Sequence, residues 1–350
     1  MIPLQGMTPD ALTRALPELT LEEARRIVSA VHREIPLDGP VEGVRRVALA
    51  VVRARTSVPR LELVRELPSR VDPFVKLSFM ASDGSVFETV RIPLEKPGRF
   101  TVCVSSQVGC ALGCLFCATG RMGLARNLET WEIVEQVRRV KRTLSPEQGE
   151  RIRGVVFQGM GEPLANLDRV LEAVLVLTEP SALAIDARAI TVCTSGLPSG
   201  IVRLAREAPR VRLALSIGSA RADVRRHLMP IDGSHPLASV IDACVEHARL
   251  TGLAPMWAVT PLAGVNDTAD DAAGLARLAR EFVSRTGLRP RISLIPYNRI
   301  DDTVDPFEPS SEEAEALLRE ALRDAGFGVH KRYSGGADVG AGCGQLASRD

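Results

Sequence analysis

The segment Cys110-Ala-Leu-Gly-Cys114-Leu-Phe-Cys117 constrains this chain more than any other. Its C-x3-C-x2-C spacing gathers three soft thiolates on one tight loop and brings no fourth. A closed structural zinc site needs four protein donors. A [4Fe-4S] cluster has four irons and usually takes four cysteines. Three cysteines leave one iron open to bind something else, which makes the metal centre a chemical tool. The competing reading is a structural zinc site completed by Cys103 or Cys343, although neither has ligand-pair spacing. The total of seven cysteines is odd. The start, MIPLQGMTPDALTRA, has no basic segment followed by an apolar run. Together these point to a reducing, cytoplasmic setting and not to a disulfide scaffold.

The chain of 350 residues, 45% of them hydrophobic, is long enough for one large domain and a smaller one. No apolar stretch approaches the length of a membrane span. The net charge of +1 sets up no global basic field that would announce a nucleic acid. Only four of the 44 basic residues are lysines. Arginine suits phosphate recognition and base stacking, but biased genome composition explains the same excess.

Residues 8 to 56 read as short helices, with apolar residues at helical spacing over 10–16, 21–33 and 41–55. Two strand-like segments follow, 74–80 and 86–92. The turn Ser82-Asp83-Gly84-Ser85 between them carries an Asp-Gly hairpin signal. Strand and helix patterns then alternate. Strands are expected at 101–105, 154–158, 189–194, 211–217, 256–260 and 292–296. Helices are expected at 130–142, 166–178, 198–207, 237–252, 268–285 and 311–325. Thr130 is the expected cap of the first helix, whose buried face is Ile133, Val134, Val137 and Val140. Such alternation predicts an α/β fold with a parallel sheet and helices outside. The alternation does not say whether the sheet closes, but in parallel α/β sheets, open or closed, chemistry sits at the C-terminal ends of the strands. The cysteine loop, Gly159–Pro163, Cys193–Gly196, Ser216–Gly218 and Asn298 all fall there.

The stretch TVCVSSQVGCALGCLFCATGRMGLARNL, residues 101–128, resembles the RlmN/Cfr family of radical S-adenosylmethionine (SAM) RNA adenine methyltransferases. The resemblance covers about residues 72 to 347. It implies an incomplete (β/α)6 radical SAM barrel over 101–300, with a helical accessory domain over 1–70 that helps grip RNA. A β-hairpin extension at 71–100 and a C-terminal helix, strand and loop at 301–350 complete the expected layout. It also implies a [4Fe-4S] cluster on Cys110, Cys114 and Cys117, with SAM on the open iron. Gly159-Met-Gly-Glu-Pro163 resembles the family's GEP segment, which would bind SAM through Gly161 and Glu162. By the same likeness Cys193, Ser216, Ile217, Gly218 and Asn298 are SAM contacts. Two of these segments depart from the family: Ser216-Ile217-Gly218 stands where Ser-Leu-His is common, and Cys193 where serine is common. Arg332-Tyr-Ser-Gly-Gly336 lacks the usual Thr-Arg-Gly.

Three further residues carry chemistry under this resemblance. Cys343, in Ala-Gly-Cys-Gly-Gln-Leu, is similar to the methyl-carrying cysteine of A-C-G-Q-L. Its thiolate takes a methyl from one SAM by displacement. A second SAM gives a 5′-deoxyadenosyl radical, and the resulting S-methylene radical adds to C2 or C8 of adenine. Glu88, in Phe-Glu-Thr-Val, matches the family's E-T-V and is the base that removes the ring proton; an ordinary exposed strand glutamate is the plainer reading. Cys103 attacks the sulfur of Cys343, forms a disulfide and frees the methylated base. The implied partners are RNA, 23S ribosomal RNA first, and an electron donor such as flavodoxin or ferredoxin, with the protein a monomer. Arg121 and Arg126, flanking the cluster loop, are the phosphate candidates. The alternatives are a paralogue acting on another RNA, or a metal-containing RNA-binding protein that has lost SAM chemistry. Gly218 in place of histidine keeps the last one open.

Overall fold

The computed structural model describes residues 1–300 and 305–347. The N-terminal part holds β1 (Ile2–Pro3), α1 (Pro9–Ala15), α2 (Leu21–His32), α3 (Arg46–Arg55) and β2 (Thr56–Ser57), with β1 and β2 paired in parallel. A reciprocal capping box between Thr20 and Glu23 starts α2. Ile27, Val28 and Val31 then meet Leu4, Leu12, Leu16 and Val52 in a small core of their own. Next come β3 (Glu62–Pro68), β4 (Val75–Met80), β5 (Val86–Pro93) and β6 (Arg99–Val104). The expected helical segment therefore ends near residue 55, and residues 62–68 instead form a strand on β4. The Asp83-Gly84 turn closes the β4–β5 hairpin, with Gly84 at φ +80°.

After β6 the chain folds a small hairpin, β7 (Gln107–Cys110) and β8 (Gly123–Asn127), around the short helix α4 (Ala118–Arg121). Helix α5 (Thr130–Arg142) follows, capped by Glu129 and not by Thr130. The Thr130 hydroxyl donates to Glu172 instead. Ile133, Val134, Val137 and Val140 are fully buried, each worth about 1.5–3 kcal/mol of apolar burial. The remainder alternates: β9 (Arg151–Phe157), α6 (Leu167–Thr178), β10 (Ile190–Thr194), α7 (Pro198–Glu207), β11 (Arg212–Ser216), α8 (Ala222–Leu228), α9 (Leu237–Thr251), β12 (Met256–Val259), α10 (Ala269–Thr286), β13 (Arg291–Leu294), α11 (Glu312–Asp324) and β14 (Val329–Lys331).

Ten of these strands make one sheet in the order β14-β13-β12-β11-β10-β9-β6-β5-β4-β3. Pairing is parallel from β14 through to β6, and antiparallel from β6 to β3. All six expected barrel strands are present, with short β14 as a seventh in parallel. The sheet curls into a barrel that, among the described residues, no ladder closes. Its two sides meet through the segment after β14. Asp72 accepts from the Tyr333 hydroxyl (2.9 Å) and the Gly336 amide (2.8 Å), and Asp338 accepts from the Ser69 hydroxyl (2.7 Å) and the Arg70 amide (2.8 Å). The N-terminal helices dock on the outside, where buried Arg138 of α5 donates to the Val31 carbonyl (2.7 Å) and pairs with Glu135. Among the described residues no helix is long and apolar enough to cross a membrane.

Candidate active site

The loop after β6 reaches the sheet's C-terminal rim and turns back as β7, which ends at Cys110. Gly109, at φ +74°, lies so close to the Gly123 carbonyl that a Cβ would overlap it at 1.9 Å. Only glycine permits this crossing, and it fixes the exit direction of the cysteine loop. Cys110, Cys114 and Cys117 then line one cavity of about 120 Å³ together with Gly161, Glu162, Cys193, Ser195, Ser216 and Cys343. Burial pushes the Cys110 thiol up to about 11 and Cys114 up to about 12, and raises Cys117 as well. A bound cationic iron centre is what turns such buried thiols into thiolate ligands. Among the described residues no three His, Cys, Asp or Glu side chains are grouped to hold one metal ion. A cluster asks for a different arrangement, in which each thiolate meets a separate iron. The donor set and the shared cavity fit the cluster.

The segment after β9 supplies the opposite wall. Gly159 packs against the Val104 backbone, where a Cβ would sit 2.7 Å from the carbonyl. The Gln107 side chain accepts from the Glu162 amide (2.8 Å) and so fixes the turn. Glu162 is buried and accepts from the amides of Leu164 (3.0 Å) and Ser195 (2.9 Å). Burial pushes its carboxyl up to about 7, against the pull of those amides and of Thr194. A carboxyl held in a closed apolar wall gains most from a cationic ligand, and the methionyl ammonium of SAM is one. The Ser195 and Ser216 carbonyls are held from behind by buried Arg225, at 2.8 and 3.0 Å, and Arg225 also pairs with buried Asp232 at 3.0 Å. Sequence reasoning passed over Arg225, because nothing local marks an arginine that will be fully buried.

The structure brings Gly161, Glu162, Cys193 and Ser216 into this cavity but not Ile217, Gly218 or Asn298. Ile217 is core. Gly218, at φ +69°, abuts the Met229 sulfur, and its carbonyl accepts from Asn266 (2.7 Å). A histidine there would have to displace Met229. The Asn298 amide donates to the Ser334 hydroxyl (2.8 Å) and the Cys343 carbonyl (3.0 Å), so it anchors the C-terminal loop.

That loop places Cys343 in the wall of a second cavity, of about 70 Å³, which Cys103, Val90, Arg332 and Phe74 also line. The Gly344 carbonyl accepts from the Ala118 amide (2.7 Å), which docks the loop on the cysteine loop. Gln158 donates to the Cys343 sulfur (3.1 Å) while its oxygen accepts from Arg332 (3.0 Å) and Cys193 (3.6 Å). Cys103 lies on β6, buried, with its thiol pushed up to about 12 by burial, and every cysteine here is a free thiol. Glu88 is buried on β5 and pairs with Lys76 of β4 at 3.1 Å, so it is not an exposed strand glutamate. Arg121 bonds Asp305 and the Leu115 carbonyl, and Arg126 bonds Asp83 and Glu132. Both phosphate candidates are thus already engaged in ion pairs.

The model of the radical SAM superfamily matches residues 104–278. A probable RNA methyltransferase of Sorangium cellulosum is 56% identical, over 97% of this chain and 91% of its own. The dual-specificity RNA methyltransferase RlmN of Syntrophobacter fumaroxidans is 43% identical over 78% of this chain and 76% of its own. A crystal structure of a radical SAM methyltransferase from Sphaerobacter thermophilus superposes with TM-score 0.88 and 36% identity, covering both chains fully. With three cysteines on one cavity and Cys343 reaching into it, the chain belongs to the RlmN/Cfr family of radical SAM RNA methyltransferases.

Proposed function

We propose that the chain methylates ring carbon C2 or C8 of an adenine in 23S ribosomal RNA, through a methyl group carried on Cys343. One observation carries the reading: Cys343 is common to the cavity of Cys110, Cys114 and Cys117 and to the cavity of Cys103. A thiol that must meet a methyl donor and then a resolving thiol belongs at such a boundary. The names of the relatives support RNA as substrate.

Cys110, Cys114 and Cys117 would hold the [4Fe-4S] cluster, and Gly161, Glu162, Cys193 and Ser216 would hold SAM. When bound, these groups would supply the one-electron, hydrogen-abstracting chemistry that activates a methyl group. Cys343 accepts the methyl on sulfur, with Gln158 orienting that sulfur by its hydrogen bond. Glu88 takes the proton from the adenine carbon once base and protein are joined. Cys103 then attacks the Cys343 sulfur: the S–S bond forms, the bond from that sulfur to the base's new carbon breaks with its electron pair left on the carbon, and that carbon takes a proton to become the methyl group. Asn298 and Ser334 keep the loop in reach. A small one-electron carrier such as flavodoxin or ferredoxin is the partner this chemistry requires. The protein acts as a monomer in the cytoplasm, where thiols remain reduced. The helices of residues 1–55 are the accessory RNA grip.

Anaerobically reconstituted protein, SAM, reductant and 23S RNA should yield a methyladenosine by nucleoside mass spectrometry. Its position, C2 or C8, names the specificity. Cys343→Ala should abolish that product while keeping the iron–sulfur absorbance. Cys103→Ala should accumulate RNA bound covalently through Cys343. Free methylated RNA at normal yield from Cys103→Ala would remove Cys103 from the scheme.

A further inference from the structure

The β4–β5–β6 ladder sets Lys76 opposite Val90, and Val90 opposite Cys103. The next row toward the rim sets Ser78 opposite Glu88, whose carbonyl accepts from the Ser105 hydroxyl (2.5 Å). Residues in register across a sheet share a face, so Lys76, Glu88 and Cys103 point to the same side. Glu88 and Cys103 are diagonal neighbours, roughly 7–8 Å apart in such a ladder. Phe74 and Ile92 continue this face into the lining of the Cys103–Cys343 cavity.

The bonds of Glu88 are one-sided. Lys76 Nζ (3.1 Å) and Ser78 Oγ (3.3 Å) both meet Oε1. Oε2 is buried and has no partner. A buried carboxylate oxygen without a donor is costly, and a purely structural ion pair would gain by engaging both oxygens. The Lys76 side chain is itself only 12% exposed. Its Nζ lies 3.3 Å from where a Cβ on Gly340 would stand, three residues before Cys343. The amine therefore sits between the carboxylate and the loop that carries Cys343.

We propose that Lys76 is a positioning residue that clamps Oε1 of Glu88 so that the free Oε2 receives the adenine ring proton. The C–H bond breaks, the proton goes to Oε2, the bonding pair stays with the ring, and the adduct's surplus electron leaves to the one-electron carrier that the proposed reaction already requires. Lys76 keeps its own protons and touches no substrate. The inference rests on Glu88 being the base in the proposed reaction.

The test uses the reconstituted holoenzyme with RNA and compares Lys76→Met, Lys76→Gln, Lys76→Arg and Glu88→Gln. Three quantities are read: S-methylation of Cys343, covalent RNA–protein species, and released methyladenosine. Lys76→Met and Lys76→Gln should methylate Cys343 normally, accumulate the covalent species, and release methyladenosine about 100-fold more slowly, the lower range of a lost acid–base contribution. Lys76→Arg, which keeps a cation on Oε1, should recover most of that release. A purely structural role would lower Cys343 methylation along with release, and that result overturns the proposal. If Lys76→Met does not fold, Lys76→Gln, which keeps a polar tip one atom shorter and carries no charge, decides it. Normal release from Glu88→Gln would dispose of the Glu88 reading itself. A dead Glu88→Gln beside a fully active Lys76→Gln would dispose of the clamp alone.

Discussion

Arg225→Met puts the architecture of the SAM wall to a quantitative test. Arg225 is fully buried, and its guanidinium meets Asp232 at 3.0 Å, the Ser195 carbonyl at 2.8 Å and the Ser216 carbonyl at 3.0 Å. Methionine fills much of the volume but leaves Asp232 with the Leu237 amide (3.0 Å) and the distant, exposed Arg226 (3.9 Å). Removing one member of a buried pair costs about 3–5 kcal/mol, because the other charge stays in the interior. Taking about 4 kcal/mol and a urea dependence of about 3 kcal/mol per M, the midpoint of unfolding should fall by roughly 1.3 M. The double variant Arg225→Met/Asp232→Leu should recover most of that loss, since an apolar pair can replace a buried ion pair at little cost. SAM binding should stay weakened in both variants, because Ser195 and Ser216 have lost their rear support. Urea titration followed by circular dichroism, together with equilibrium dialysis of SAM, reads both quantities. A single variant within about 0.3 M of the parent in its urea midpoint, or a double variant less stable than the single one, would refute the reasoning on the scale used above.

Two other perturbations probe different regions. Gln158→Met removes the donor to the Cys343 sulfur and the acceptor for Arg332, so Cys343 methylation should slow by roughly tenfold, the worth of one charge-assisted bond of about 1.5 kcal/mol. Peptide mass spectrometry over a time course checks this, and an unchanged rate counts against the orienting role. His32 is buried with neither ring nitrogen bonded, and burial, with Arg138 and Lys141 nearby, holds its pKa down to about 3. The unfolded chain then binds the extra proton below about 6.5, so stability is full above that pH and falls as pH drops toward 3; between pH 7 and pH 5 the loss is about 2 kcal/mol. His32→Met should flatten that acid limb in urea titrations at the two pH values, and an equally steep limb would show that the proton is taken up elsewhere.

What could be read from the sequence was what lies close together in it. The cysteine loop spans eight residues, and Gly161-Glu162 follow a strand directly, so spacing alone set them on the rim. The six barrel strands showed as apolar runs between helical periods. Residues 62–68 did not, because Glu62, Arg65 and Glu66 break the apolar pattern on a largely exposed edge strand. The network around Gln158 was also hidden. Its partners Cys343 and Arg332 lie 185 and 174 residues away, and only the curl of the open sheet brings them together. Asn298 carried the right motif, yet its amide turns to Ser334 and the Cys343 carbonyl, a choice set by a loop 36 to 45 residues on. The N-cap of α5 went to Glu129 because an acidic side chain one residue earlier reaches the same amide as a threonine would.

Asp72 and Asp338 give the molecule a latch where most barrels have a weld. Parting a strand ladder would unzip the sheet, whereas here a handful of bonds at the molecular surface hold the final loop against the first hairpin. Severing those few bonds would loosen the seam between the two ends of the sheet, while the parallel strands behind it keep the register of their own ladders.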